Sequence, residues 1–264
     1  MKILKQQYNV LNSMIDPEFR LTPDSLISLT QDIFARYCSA YWCGAFDLRE
    51  KNRMWIINDF TFRITDAMPF WTESIDVETW FSEKPAIKLR QDYRLSQNGK
   101  VFAIGDCTWA VLDMESRKPL AASEVLPEFE LHEEIVLGTH RHRFPQKTEH
   151  LLTYRHMTNN NDKDFNYHVT NVSYANICLG ALPDDYLSSH ELHEFSIKFL
   201  QETFIGQELQ CQVSRTATPN LWTYDITSDG TTLACQAYAQ YGEPYSREGI
   251  LDRNLPFRNT DKQI

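Results

Sequence analysis

The feature that most constrains this chain is that it repeats itself. Residues 93–103 (YRLSQNGKVFA) align without a gap with residues 224–234 (YDITSDGTTLA). Asn98-Gly99 and Asp229-Gly230 each sit between alternating apolar runs, and both dipeptides tolerate the positive φ of a type I′ hairpin turn. Phe60–Ile64 matches Phe195–Phe199, and Thr72–Thr79 matches Gly206–Val213, in the same order and at nearly the same spacing. Such a chain folds as two versions of one supersecondary unit.

Each version opens with a helical pattern. Leu26, Leu29, Ile33, Phe34 and Tyr37 recur at three-to-four spacing after Thr22-Pro23-Asp24, with Pro in the first turn. Val172, Ala175, Asn176 and Leu179 do the same after Asn171. Strands with apolar residues at period two follow in both copies, and one of them is expected to run from Phe195 to Thr203. A helix and then an antiparallel meander, twice over, is an α+β chain. Its simplest packing wraps each sheet around its helix and sets the sheets edge to edge, a double hotdog. The expected divisions are residues 1–135, a linker at 136–149, a second unit at 150–245 and a polar tail at 246–264.

Composition narrows the function. The chain has 264 residues, 42% apolar, and a net charge of −10, which argues against a nucleic-acid binder, since that needs a basic face. No apolar run approaches the roughly 18 residues of a membrane span, and the first residues lack a signal core. The reading is a soluble, cytoplasmic protein. Six cysteines lie in apolar segments without a CxxC pair, as reduced and buried thiols do. His140, His142, His150 and His156 lack a cysteine partner and suit a solvated linker better than a metal site. Walker, dinucleotide and Gly-x-Ser-x-Gly patterns are absent, so neither cofactor nor metal is expected.

The informative stretch is Asp164-Phe-Asn166-Tyr-His168, just before the second helix. In an extended segment Asp164, Asn166 and His168 share one side of the chain. They combine an acid/base, an amide and a proton carrier beside a helix N-terminus, whose free N–H groups suit an oxyanion. The same residues also suit an ordinary polar loop with caps. Glu202 falls on the outward phase of its strand unless a bulge intervenes, and alone it reads as a solvated carboxylate. Its partner in the first copy is Ala67 or a neighbour, and no Asp-x-Asn-x-His counterpart is evident there.

These residues resemble the acyl-acyl carrier protein (acyl-ACP) thioesterases of plant plastids and bacteria. The resemblance runs through Trp55–Phe62, Pro69–Trp71, Ile75–Trp80, Arg90–Tyr93 and Trp109–Pro119. Asp164-x-Asn166-x-His168-x-x-Asn171 matches the family's active-site segment, and Ile197–Thr203 falls where the family carries a catalytic Glu followed by Cys. Thr203 stands in place of that Cys, which counts against a papain-like cysteine mechanism. The resemblance implies a double hotdog that hydrolyses fatty acyl thioesters on acyl carrier protein, with the acyl tail in the first unit and Asp164, Asn166, His168 and Glu202 in the second. It implies Glu202 as general base or nucleophile, Asn166 and His168 positioning water or carbonyl, and an oxyanion site at the N–H groups of 169–171. An acyl-CoA thioesterase and a non-catalytic acyl- or carrier-protein-binding module are the alternatives. The carrier protein is acidic, so docking needs a local basic patch. Arg141, Arg143 and Lys147 are the first candidates, then Arg155, Lys88 and Arg90. A homodimer is possible.

Overall fold

A computed structural model describes residues 2–138 and 144–245. The first half comprises β1 (Ile3–Asn9), α1 (Pro23–Ala40), α2 (Ala45–Arg49), β2 (Arg53–Ile64), β3 (Ser74–Glu83), β4 (Leu89–Gln97), β5 (Lys100–Asp113) and α3 (Ala122–Val125). The second comprises β6 (Lys147–Met157), α4 (Asn171–Leu179), α5 (Asp184–Leu187), β7 (Glu191–Phe199), β8 (Glu208–Thr216), β9 (Leu221–Ser228) and β10 (Thr232–Gly242). All ten strands form one sheet in the order β1-β3-β4-β5-β2-β7-β10-β9-β8-β6. The five strands on either side of the β2–β7 junction mirror each other in chain order. Two units lie edge to edge, as the repeat requires.

The junction shows the repeat at residue level. β2 and β7 pair antiparallel with Phe60 opposite Ile197, Thr61 opposite Ser196 and Phe62 opposite Phe195. Thr61 and Ser196 are also the residues that the alignment equates, so the pairing is symmetric about them. Their hydroxyls hydrogen-bond at 2.8 Å and are buried. Phe60, Phe62, Phe195 and Ile197 face the other way, into the core. Pairing each half's inner strand leaves no sheet edge between the halves.

Both helices pack on the inner face of the sheet. α1 buries Leu26, Ile33, Phe34, Tyr37 and Cys38, while α4 buries Tyr174, Ala175, Ile177 and Cys178. α1 is twice as long, 18 residues against 9. On the outer face, residues 132–138 run across the first sheet. The Trp80 indole donates to the Glu134 carbonyl at 2.8 Å, and Val136 N–H donates to Asp92 at 3.0 Å. Beneath this strap Arg90 pairs with Asp106, whose carboxyl burial pushes up to about 7 against the pull of that guanidinium.

Candidate active site

A cavity of about 680 Å³ lies between the halves, a size usual for small-molecule sites. α1 contributes Gln31, Phe34, Ala35 and Cys38, one face of a helix over about 10 Å. Phe34 stacks on Trp109 of β5 at 3.8 Å and meets Trp55 of β2 edge-on at 5.2 Å, so this wall is apolar and aromatic. The opposite wall carries Asp164, Asn166, His168 and Glu202. All four residues singled out in the sequence therefore line one cavity.

They do so by a route the sequence reading did not foresee. Residues 163–169 are a tight turn closed by a bridge between Lys163 and Val169, with Tyr167 at φ 68°. Asp164 Oδ1 accepts the N–H groups of Asn166 (2.8 Å) and His168 (3.0 Å), and its own N–H donates to the His168 carbonyl at 2.8 Å. Asp164 thus shapes the backbone that presents Asn166 and His168. An Asx-type acceptor does this because its short side chain competes for neighbouring N–H groups better than the backbone can. Two of the three proposed oxyanion donors are already spent, Val169 on the Thr203 carbonyl (2.9 Å) and Thr170 on the Asp162 carbonyl (2.7 Å). Asn171 N–H, at the first helical position, has no acceptor among the described residues.

Glu202 reaches the cavity because β7 ends at Phe199, short of the expected Thr203. The N–H groups of Leu200 and Gln201 both donate to the Ala234 carbonyl, at 2.9 and 3.0 Å. Two residues against one acceptor reset the alternation, as a bulge does. Glu202 then faces the cavity, 3.6 Å from His168 Nδ1. Thr203 turns into the core, 1% exposed, with its hydroxyl 2.6 Å from that of Tyr174. Burial pushes the Tyr174 phenol up, so it stays neutral in this pair.

One site residue was missed. Arg117 forms an ion pair with Glu202 from the turn after β5, in the other half of the molecule. Its other guanidinium nitrogen lies 3.1 Å from the Met54 sulfur, which fixes its direction. No local pattern links residues 117 and 202; only the sheet junction brings them together. The site therefore holds a carboxylate flanked by an imidazole and a guanidinium, with an amide and a free helix N–H nearby. That set can activate water beside an electrophilic carbonyl.

Residues 1–130 match the family model of the acyl-ACP thioesterase N-terminal domain, and residues 141–243 match that of the C-terminal domain. This chain belongs to the acyl-ACP thioesterase family. Its relatives include an acyl-[acyl-carrier-protein] hydrolase of Cuphea viscosissima, 23% identical over 61% of this chain and 40% of that one. A palmitoyl-acyl carrier protein thioesterase of Gossypium hirsutum is 21% identical over 76% of this chain and 52% of its own length. The chain spans about half the length of these curated relatives. Among solved structures, an acyl-ACP thioesterase of Bacteroides thetaiotaomicron superposes with a TM-score of 0.81 at 19% identity, covering 91% of this chain and 98% of that one. The 12:0-ACP thioesterase of Umbellularia californica gives 0.77 at 12%, covering 91% and 97%. These likenesses show the fold, an α+β double hotdog.

The turn at 163–170 has a structural double in the first half, which the sequence reading did not find. Residues 15–22 repeat the turn at 163–170 bond for bond. Ile15 bridges Leu21, and Phe19 has φ 65°. Asp16 Oδ1 accepts the N–H groups of Glu18 (3.0 Å) and Arg20 (2.8 Å), and Leu21 N–H donates to the Pro69 carbonyl at 2.8 Å. Pro69 thus matches Thr203, and buried Met68 takes the place of Glu202. Arg20 stands where His168 stands, tied to Asp16, Glu18 and Glu191.

The remaining candidates are accounted for locally. All six cysteines are free and buried, and burial pushes the Cys38, Cys107 and Cys178 thiols well up, which removes them as nucleophiles. His156 lies 3.0 Å from Asp162 beneath the active-site turn. Burial acts to raise the Asp162 carboxyl, yet the Asn159 N–H, His156 and Ser173 outweigh it and hold it low. Of the expected docking cations, Lys147 pairs with Asp225 and Arg155 with Glu208, while Arg90 is locked under the strap. Arg141, Arg143, His140, His142 and the tail 246–264 lie outside the described residues. Among the described residues no helix is long and apolar enough to cross a membrane.

Proposed function

We propose that this protein hydrolyses the thioester of a fatty acyl group on acyl carrier protein, releasing the free fatty acid. The observation that carries the reading is the shared cavity, with Glu202 and His168 on one wall and the apolar face of α1 on the other. Family membership and the names of the relatives point to the same chemistry.

Glu202 accepts a proton from water as the water oxygen bonds to the thioester carbon. His168, within reach of Glu202 and of the cavity, orients that water. The carbonyl oxygen gains negative charge and is met by Asn171 N–H and the Asn166 amide; losing one such donor costs about 3–4 kcal/mol in comparable sites. Collapse breaks the carbon–sulfur bond, and the proton on Glu202 passes to the departing thiolate. Arg117 holds the Glu202 carboxylate in the direction this transfer needs. Asp164 acts through the backbone, as a positioning residue. The acyl tail lies along Phe34, Trp55 and Trp109 in the first half. Thr203, buried against Tyr174, takes no part.

The test is hydrolysis of acyl groups of graded length carried on acyl carrier protein, on CoA and on N-acetylcysteamine. The reading expects free fatty acid and the highest kcat/KM on the carrier protein. Binding without turnover of any of the three would make this a non-catalytic module, and preference for CoA would move it to another substrate class.

A further inference from the structure

The polar groups on and behind the apolar wall of the cavity are matched, with one exception. The Trp109 indole and the Cys107 thiol both donate to Gln91 Oε1, at 2.8 and 2.9 Å, and Gln91 Nε2 donates to the Thr79 hydroxyl at 2.8 Å. The Trp55 indole donates to the Cys43 carbonyl at 2.8 Å. On α1, the Thr30 hydroxyl donates to the Leu26 and Ile27 carbonyls at 2.9 Å, and Asp32 accepts from the Tyr8 hydroxyl at 2.7 Å and from Arg36 at 2.6 Å. Gln31, between those two, is the exception. It lies one helical turn before Phe34 and Ala35 and two before Cys38, on the face that lines the cavity. Its Nε2 is buried without a hydrogen-bond partner. Of the buried side-chain polar atoms left so among the described residues, it alone belongs to a cavity-lining residue. Its Oε1 has no partner among the described residues either.

A tail of hydrocarbon alone, laid along Phe34, Trp55 and Trp109, would cover this amide and give it nothing, and a covered amide without a partner is penalised. Leu or Met at the same place would line the wall without that penalty, so the amide suits a chain that carries an oxygen of its own. A hydroxyl fits both ends of it, because a hydroxyl donates to Oε1 and accepts from Nε2. A site built to bond a hydroxyl also discriminates sharply against the chain that lacks it, whereas an apolar pocket separates chains by length only weakly. We propose that Gln31 reads a hydroxyl on the acyl chain, so that the substrates of this cavity are hydroxyacyl thioesters in preference to plain fatty acyl ones. The inference rests on the hydrolase reading above and leaves its bond-breaking step unchanged. Gln31 decides which tail is held while Glu202 and water act, and is a specificity-determining residue.

The test compares wild type with Gln31→Met, an apolar side chain of similar size and helix propensity. The substrates are N-acetylcysteamine thioesters of one chain length, unsubstituted and singly hydroxylated at successive carbons. For the best-placed hydroxyl, wild type should show a kcat/KM roughly tenfold or more above that of the unsubstituted chain. Gln31→Met should abolish that margin by losing the hydroxylated substrate while keeping or improving the unsubstituted one, a crossing of preference that a folding defect cannot produce. A wild type that favours no hydroxylated chain would overturn the assignment. So would equal loss on both substrates in Gln31→Met, since Gln31 would then touch a part that both share. If wild type turns over none of these thioesters, the hydrolase reading falls, and calorimetric binding of the matching free acids decides the inference by itself. A hydroxyl preference that Gln31→Met removes would support it, and equal affinity for plain and hydroxylated acids would overturn it.

Discussion

The turns at 15–22 and 163–170 have the same backbone and opposite fates. Each is folded by one aspartate, Asp16 or Asp164, that accepts two N–H groups, and each rests on a carbonyl of the crossing segment, Pro69 or Thr203. In the first, Arg20 fills its surroundings with ion pairs to Asp16, Glu18 and Glu191. In the second, His168 faces a cavity and a carboxylate 3.6 Å away. The cradle is a property of the fold, and in the proposed function the chemistry lies in three side chains set upon it, Asn166, His168 and Glu202. The helices divide the labour the other way. α1 runs for 18 residues and supplies a long apolar wall, whereas α4 stops after 9.

If that division holds, its largest consequence falls on the second turn. His168→Ala should lower kcat by at least about 10²-fold, the lower range for acid–base work, while Arg20→Ala leaves kcat within a few-fold; steady-state hydrolysis of an acyl-carrier substrate decides it. Next come the two anchoring aspartates. Asp16→Ala and Asp164→Ala should each cost about 1–3 kcal/mol of stability through stranded N–H groups, read by denaturant unfolding. Only Asp164→Ala should also reduce kcat, by roughly tenfold or more as the reacting geometry is lost. Asp164→Asn, which retains an acceptor oxygen, should be much milder on both counts. Shortening the wall comes third: Phe34→Leu should shift preference towards longer or bulkier acyl chains by a few-fold in relative kcat/KM, since a methylene or two is worth about 1–3 kcal/mol in an apolar pocket. Thr203→Ala should have the smallest effect on turnover, within about twofold, and should cost about 1 kcal/mol of stability through the Tyr174 hydroxyl.

What the sequence made legible followed from local signals. The Asn-Gly and Asp-Gly hairpins at 98–99 and 229–230 and the period-two runs at 60–64 and 195–199 were sufficient for two antiparallel units set edge to edge, whereas the strands β1 and β6, which precede each helix and form the outer edges of the sheet, were not foreseen. The double of the turn at 163–170 escaped because the two share only the aspartate and the closing threonine, Asp16 and Thr22 against Asp164 and Thr170, and because its offset is 148 while the strands repeat at 131–135. The longer α1, 18 residues against 9 in α4, accounts for most of that jump. Asp164 was read as an acid/base side chain, since a chain treated as extended hides a side chain that folds back onto its own backbone. The course of Glu202 depended on a bulge against Ala234, two strands' geometry that one strand's alternation cannot supply. Arg117 was beyond reach for a similar reason, being joined to Glu202 only across the junction. Which cations are paired is likewise not written in the sequence: Lys147 and Arg155 carry ion pairs with Asp225 and Glu208, partners that only the fold brings near.

The central claim is that one copy of a duplicated cradle reacts because Glu202 stands where the other copy has Met68. Glu202→Gln preserves size and removes the proton acceptor, so single-turnover hydrolysis of an acyl-carrier substrate by this variant tests the claim most directly. The account predicts a rate lowered by at least about 10²-fold, an unchanged unfolding midpoint and no acyl-enzyme in the quenched reaction. A rate within a few-fold of wild type, or an acyl group trapped on Thr203, would contradict it.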